Sequence, residues 1–199
     1  MVMATVRDRA LHQVVYPESD GEPMAESWLQ AEVIRMLVAG FIRLFAGHPG
    51  VVVGGDNFWY PVKGDPRTVV APDVFVIVGM PAVPPLREMG SYRQWEHGGH
   101  PTFVVEVLSP SNTYREMLRK RDFYERFGVD EYWVFEPEDG TLEVWLRDGA
   151  ALSRVPMAEG GHVSPTTGVQ VSVVDRELVV HGPGGGRRWL YLRDEALRG

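Results

Sequence analysis

An α/β (α+β) fold, with a mixed β-sheet flanked by helices, follows from three observations on this 199-residue chain. Residues 103–135 read strand, helix, strand, and a crossover of that length usually joins parallel strands. Residues 51–53, 57–62 and 68–78 read as a strand meander with Gly-rich turns, and more alternating strands follow residue 140. A helix with one apolar stripe precedes them all.

The elements are justified in order. VVYPESDGEPM (14–24) is a turn-rich lead-in, with Ser19-Asp20-Gly21 as the turn. A helix is expected from about 23 to 46, where GHPG ends it. Leu29, Val33, Met36, Leu37, Gly40, Phe41 and Leu44 form its apolar face, and Glu26 projects onto the start of that face. A first-turn Glu favoured by the helix dipole explains Glu26 as well as a functional role does. In the third meander strand, period two groups Asp73 with Phe75 and Ile77, although a Pro-Asp pair is often only a turn. The connection 79–100 carries Arg87, Tyr92, Arg93, Trp95, His97 and His100. That mixture suits contact with a phosphate and a base, and equally a lid packed by its own aromatics.

FVVEVL (103–108) is apolar enough for a strand buried on both faces, yet Glu106 sits inside it. An ionised carboxylate there costs several kcal/mol unless a cation, a metal or a proton compensates it. SPSN breaks the strand and offers caps for a helix. At about 100° per residue, Thr113, Met117, Lys120, Tyr124 and Phe127 share its inward stripe, with Arg115, Arg119, Asp122 and Arg126 opposite. GVDEYWVF is the second strand of the unit. Beyond it, TLEVWLRDG, ALSRVPM, VQVSVVDRELVV and RRWLYLRDE are expected strands, and HGPGGGRR a flexible hairpin tip. With no repeat and no linker, residues 1–199 read as a single domain.

Composition narrows the class. The chain is long enough, at 44% hydrophobic, to build one well-cored domain. It lacks an apolar run near the roughly 20 residues of a membrane span, and its first residues lack a signal peptide's apolar core. Without cysteine there are no thiolate metal sites and no cysteine nucleophile. A cytoplasmic protein that meets no membrane is the expectation. The net charge of −7 argues against a generally basic nucleic-acid binder but leaves room for a local basic surface. Of the twenty basic residues only Lys63 and Lys120 are lysine. A lysine on an inward stripe, in a chain that otherwise uses arginine, points to a need for a compact ammonium.

The chemistry-bearing set is therefore Glu26, Asp73, Glu106 and Lys120. Converging carboxylates bind a hard divalent cation such as Mg²⁺ or Mn²⁺, which can activate water and neutralise charge on a phosphodiester. A nearby ammonium can stabilise the developing charge. The alternative is a buried Glu106–Lys120 ion pair in a protein without catalysis.

The order helix-Glu, strand-Asp, strand-Glu, helix-Lys resembles the PD-(D/E)XK nuclease superfamily. The phrases YPESDGEPMAE, APDVFV, SYRQWEHGGHP, FVVEVLSPSN, K-x-x-x-Y and GVDEYWVF are, more closely, similar to the Uma-type family of bacterial restriction endonucleases. The likeness runs from about Tyr16 to the C-terminal strands. It implies a restriction-endonuclease-like core with extra C-terminal strands, and a Mg²⁺- or Mn²⁺-dependent endonuclease acting on DNA. Asp73 matches the motif's Asp and Glu106 its acidic residue, the two metal ligands, and Glu26 matches the first-helix Glu. Leu108 stands where the motif's lysine normally lies, and Lys120 is the migrated lysine. Glu116 occupies a position commonly Asp in relatives and, with Tyr124, is an accessory candidate. Arg87, Arg93, Arg115, Arg119 and Arg126 are the candidate phosphate contacts, and cutting both strands would suit a homodimer. A nuclease of RNA or of structured nucleic acid, and a non-catalytic binding or assembly module, are the alternatives.

Overall fold

Ser27 sets the start of the first helix. In the computed structural model, which describes residues 14–17, 27–81 and 89–191, Ser27 is extended and its hydroxyl accepts from the Gln30 N–H at 3.1 Å. Helix α1 therefore begins at Trp28, later than position 23, and runs Trp28–Leu44. Glu26 lies outside the described residues. Val33, Met36, Leu37, Gly40 and Phe41 form the buried face, as the stripe predicts. Gly40 has a specific reason to be glycine: a Cβ there would stand 2.1 Å from the Trp189 ring.

Six strands make the main sheet, in the order β1 (Val51–Gly54), β3 (Val74–Val78), β5 (His100–Val107), β6 (Glu131–Glu136), β7 (Thr141–Asp148) and β8 (Ala151–Val155). Every neighbouring pair is antiparallel except β5 and β6, which run parallel from Phe103↔Glu131 to Val107↔Phe135. The crossover between them is α3 (Tyr114–Arg126), as the strand–helix–strand pattern requires. Its cap is Thr113, whose hydroxyl accepts from Glu116 N–H at 3.2 Å. Asn112 instead closes the preceding turn by accepting the Ser109 N–H at 2.8 Å.

The meander is shorter than its sequence suggests. The segment 57–62 contributes only β2 (Trp59–Tyr60), which pairs parallel with β4 (Tyr92–Arg93) in a separate two-stranded sheet. Prolines 61 and 72, lacking an N–H to donate, flank the stretch that stays out of the main ladder. A short helix, α2 (Gln94–His97), follows β4.

Side-chain alternation gives the main sheet two covered faces. On one, α1 and a three-stranded sheet pack over Val74, Val76, Phe103, Val105, Trp133 and Val144. That smaller sheet comprises β9 (His162–Val163), β10 (Gln170–Val174) and β11 (Glu177–His181), in the order β11-β10-β9. On the other face, α3 and the β2–β4 pair cover Phe75, Ile77, Val104 and Tyr132. The expected strand RRWLYLRDE does not form within its described part. Arg188 makes one bridge to His181, and Trp189 and Tyr191 turn into the core beside α1. HGPGGGRR holds a single 3-10 turn, Pro183–Gly185. No described helix is long and apolar enough to cross a membrane.

Candidate active site

Glu106 lies one residue before the end of β5, on the face that carries Val104 toward α3, and is 2% exposed. Two residues of α3, one helical turn apart, meet its carboxylate. Lys120 Nζ donates to Oε2 at 2.7 Å, and the buried Tyr124 hydroxyl donates to Oε1. The inward stripe read from the sequence is thus the side of α3 that closes on Glu106. Lys120 keeps 21% of its side chain exposed, so the ammonium spans from the buried carboxylate to solvent.

Asp73 arrives from the neighbouring strand. It immediately precedes β3, whose first residue Val74 pairs with Val105. Its Oδ2 accepts the Val107 N–H at 2.7 Å, completing the ladder where a backbone carbonyl would otherwise serve. The Val107 carbonyl in turn accepts from Gln30 Nε2 of α1 at 2.8 Å. Val107 is held from both sides, and α1, β3, β5 and α3 converge at one end of the sheet.

Electrostatics bind these groups into a unit. Burial pushes the Asp73 carboxyl well above the usual carboxylate range, and the charge of Glu106 and a hydrogen bond between the two add to it. Lys120 and the Val107 N–H pull the other way and do not win. Burial alone would lower the Lys120 pKa, but Glu106, Asp73 and Glu116 together raise it, so the ammonium stays charged. Burial, then Glu106, pushes Tyr124 far up, leaving a neutral donor.

The remaining candidates divide by position. Arg115, Arg119 and Arg126 are exposed on α3, and Arg126 lies over the Phe127 ring. Glu116 sits one turn before Lys120 and accepts a long hydrogen bond from Asn112 at 3.5 Å. Arg93 lies over the Tyr16 ring and pairs with Glu96 at 3.5 Å. Tyr16 also packs against Tyr60 and Trp95, so this part of the long connection has the self-packed aromatic character. Arg87 falls outside the described residues.

Two polar residues escaped the sequence reading. Gln30 lies on the buried face of α1, and a polar residue on that stripe was the available signal. Glu131 opens β6 with 0% exposure. It accepts from Trp133 Nε1 at 2.7 Å, Ser164 Oγ at 2.6 Å and Thr166 N–H at 3.2 Å, and bonds His162 Nε2 at 2.8 Å. It faces away from Glu106, toward the smaller sheet.

Helices bracketing a mixed sheet, with Asp73 at the entry to β3 and Glu106 inside the neighbouring β5, place the chain in the restriction-endonuclease-like class of nuclease folds. A solved structure of this kind is a putative nuclease belonging to DUF820 from Anabaena variabilis. It is 13% identical, with a TM-score of 0.51 over 72% of this chain and 74% of that one. At that identity the likeness speaks for the fold alone. The chain belongs to the Uma2 family, described as putative restriction endonuclease, whose profile matches residues 9–177. No curated protein sequence matches it.

Proposed function

We propose that this protein is a divalent-metal-dependent endonuclease acting on DNA, with Asp73 and Glu106 as the metal ligands. The observation that carries the reading is the meeting of two carboxylates in a largely buried place, where Asp73 is driven toward its protonated form. A divalent cation would take over the charge compensation that a proton supplies. Among the described residues no cluster of three or more His, Cys, Asp or Glu is found. Two carboxylates with water suit Mg²⁺ or Mn²⁺, which are commonly held by one or two carboxylates together with substrate phosphate oxygens. The residues present fit such an ion, and when bound it would supply Lewis-acid activation of water.

The chain's own residues do the rest. Tyr124 and Lys120 fix both oxygens of Glu106, each of which retains lone pairs for further contact. Gln30 and Asp73 fix the Val107 backbone between them. The Lys120 ammonium is placed to stabilise charge developing on the scissile phosphate. Arg115 and Arg119, exposed on the same helix, attract the strand, and two copies of the chain would address two strands.

The ion-pair geometry also supports a second reading, a non-catalytic binding module in which Lys120 and Tyr124 compensate the buried Glu106 without a metal. Incubation of supercoiled plasmid, single-stranded DNA and RNA with Mg²⁺ or Mn²⁺ separates the two. The nuclease reading expects DNA cleavage by the parent, abolished by EDTA and by Asp73→Asn. A parent that cuts no DNA substrate, or an Asp73→Asn protein that cuts as fast, sinks it.

A further inference from the structure

Beside Glu106, on the same face of the sheet, a cleft of about 370 Å³ opens between α3 and strands β6 and β7. Its volume lies within the range of small-ligand sites. Leu108, Tyr114 and Met117 line one side, and Tyr132, Glu136 and Trp145 the other. We infer that this cleft receives an unpaired base of the DNA strand, so that the substrate presents a single-stranded or extrahelical nucleotide beside the Glu106 site. This assignment rests on the nuclease reading above.

Three features fit a base. Tyr132 and Trp145 are directly opposed across β6 and β7. The buried Tyr132 hydroxyl and the Trp145 indole N–H have no hydrogen-bond partner among the described residues, an unusual state for buried polar groups. Both residues line the cleft, where the half-exposed Arg121 places its guanidinium 5.4 Å from the centre of the Trp145 ring. Moving that side chain aside would uncover the Trp145 face to a base, and the two unpartnered groups belong to residues that line the same cleft.

Charge decides which part of a nucleotide enters. Glu136 and Glu143 line the cleft, and their carboxylates repel phosphate but accept from the amino or imino N–H groups of a base. Glu143 is shared with Arg154 at 3.1 Å, whereas the Glu136 carboxylate, unlike its backbone carbonyl, has no hydrogen bond or ion pair among the described residues. The basic groups, Lys120, Arg115 and Arg119, lie on α3, where the backbone would run. Tyr114, which opens α3 and is 80% exposed, supplies a stacking surface at the cleft. A base paired inside a duplex cannot reach such a pocket without leaving the stack.

The test is fluorescence anisotropy of the full chain in EDTA with three labelled DNAs: a single strand, its fully paired duplex, and the single strand with abasic spacers. The single strand should bind at least about tenfold tighter than the duplex, and the abasic strand should lose that advantage. Tyr114→Ala, at an exposed position that spares folding, should weaken single-strand binding by about tenfold, within the range for a lost stacking partner. Equal affinity for all three DNAs, or undiminished binding by Tyr114→Ala, overturns the cleft assignment. If the parent nevertheless cleaves duplex DNA with metal, the nuclease reading stands without it. A parent that neither binds nor cuts any DNA removes that reading and the cleft assignment together.

Discussion

Lys120 faces two demands that an arginine could not meet together. It must fit beside Tyr124 against a buried carboxylate and still present charge to solvent, and the bulk of a planar guanidinium disfavours that. Lys120→Arg should therefore leave cleavage as impaired as Lys120→Met, each about 10²–10³-fold below the parent in single-turnover assays. Lys120→Met should also cost about 1–3 kcal/mol, because Glu106 loses its cation while the site's open end admits some water. Parental cleavage by a folded Lys120→Met protein would remove Lys120 from catalysis. Asp73 predicts the opposite stability pattern. Burial and the neighbouring Glu106 raise its folded pKa well above the usual carboxylate range, so its ionised form is penalised in the fold and the penalty grows as pH rises. Asp73→Asn keeps an oxygen for the Val107 N–H and removes that penalty. It should melt at or above the parent's temperature at neutral pH, with the gap closing on acidification. Glu106 and Lys120 were legible because strand alternation and helical spacing both leave a charge on an inward face. Glu131 offered the same alternation signal, but it opens its strand beside Asp130 and reads there as a turn acid. Its non-local partners lie thirty residues away, in a segment with no local pattern to announce them.

Element α3 carries Lys120 and Tyr124, and Arg147 of β7 seats its end. The guanidinium donates to the carbonyls of Glu125 at 2.8 Å and Val129 at 2.9 Å, and more weakly to that of Tyr124. The Tyr124 and Glu125 carbonyls belong to the last turn of α3, where regular i to i+4 partners run out, and Val129 follows just after it. Arg147→Met should cost about 1–3 kcal/mol and speed amide exchange in the last turn of α3; unchanged exchange there would show that the packing of Tyr124 and Phe127 suffices. The helix was predictable from its stripe, whereas its anchor depends on a strand pairing that sequence spacing does not reveal. The β10–β11 hairpin shows the converse. VQVSVVDRELVV reads as one strand because it lacks glycine, yet Asp175 and Arg176 take φ of 51° and 66° and turn the chain in two residues. Such turns favour glycine at the second position, and Arg176→Gly should raise stability by about 0.5–1 kcal/mol in urea titrations.

At the scale of the whole molecule, the two cores share one sheet, and Glu131 joins that sheet to the smaller one through His162, Ser164 and Thr166. The smaller sheet also contributes Val171, Leu178 and Val180 to the α1 core, so the described parts are expected to unfold together, as a single domain would. Glu131 sets how that cooperativity responds to acid. Burial alone would raise its pKa, but the hydrogen bonds from His162, Ser164, Trp133 and Thr166 outweigh burial and hold it below the usual glutamate range. A depressed folded pKa means the contribution to stability is complete above the unfolded value and is lost as pH falls through the folded one. The parent should therefore show one melting transition at neutral pH and a steep loss of melting temperature only below about pH 4.5. Glu131→Gln keeps the shape but not the charge, and should lower the neutral-pH melting temperature while flattening that acid limb. Glu131→Ala orphans several buried donors and should cost about 3–5 kcal/mol. DNA cleavage by Glu131→Gln, assayed well below its melting temperature, should match the parent because Glu131 lies on the face opposite Glu106. An acid limb equally steep in Glu131→Gln would place the titrating group elsewhere, and a selective loss of cleavage in that folded variant would show that the two faces of the sheet are coupled.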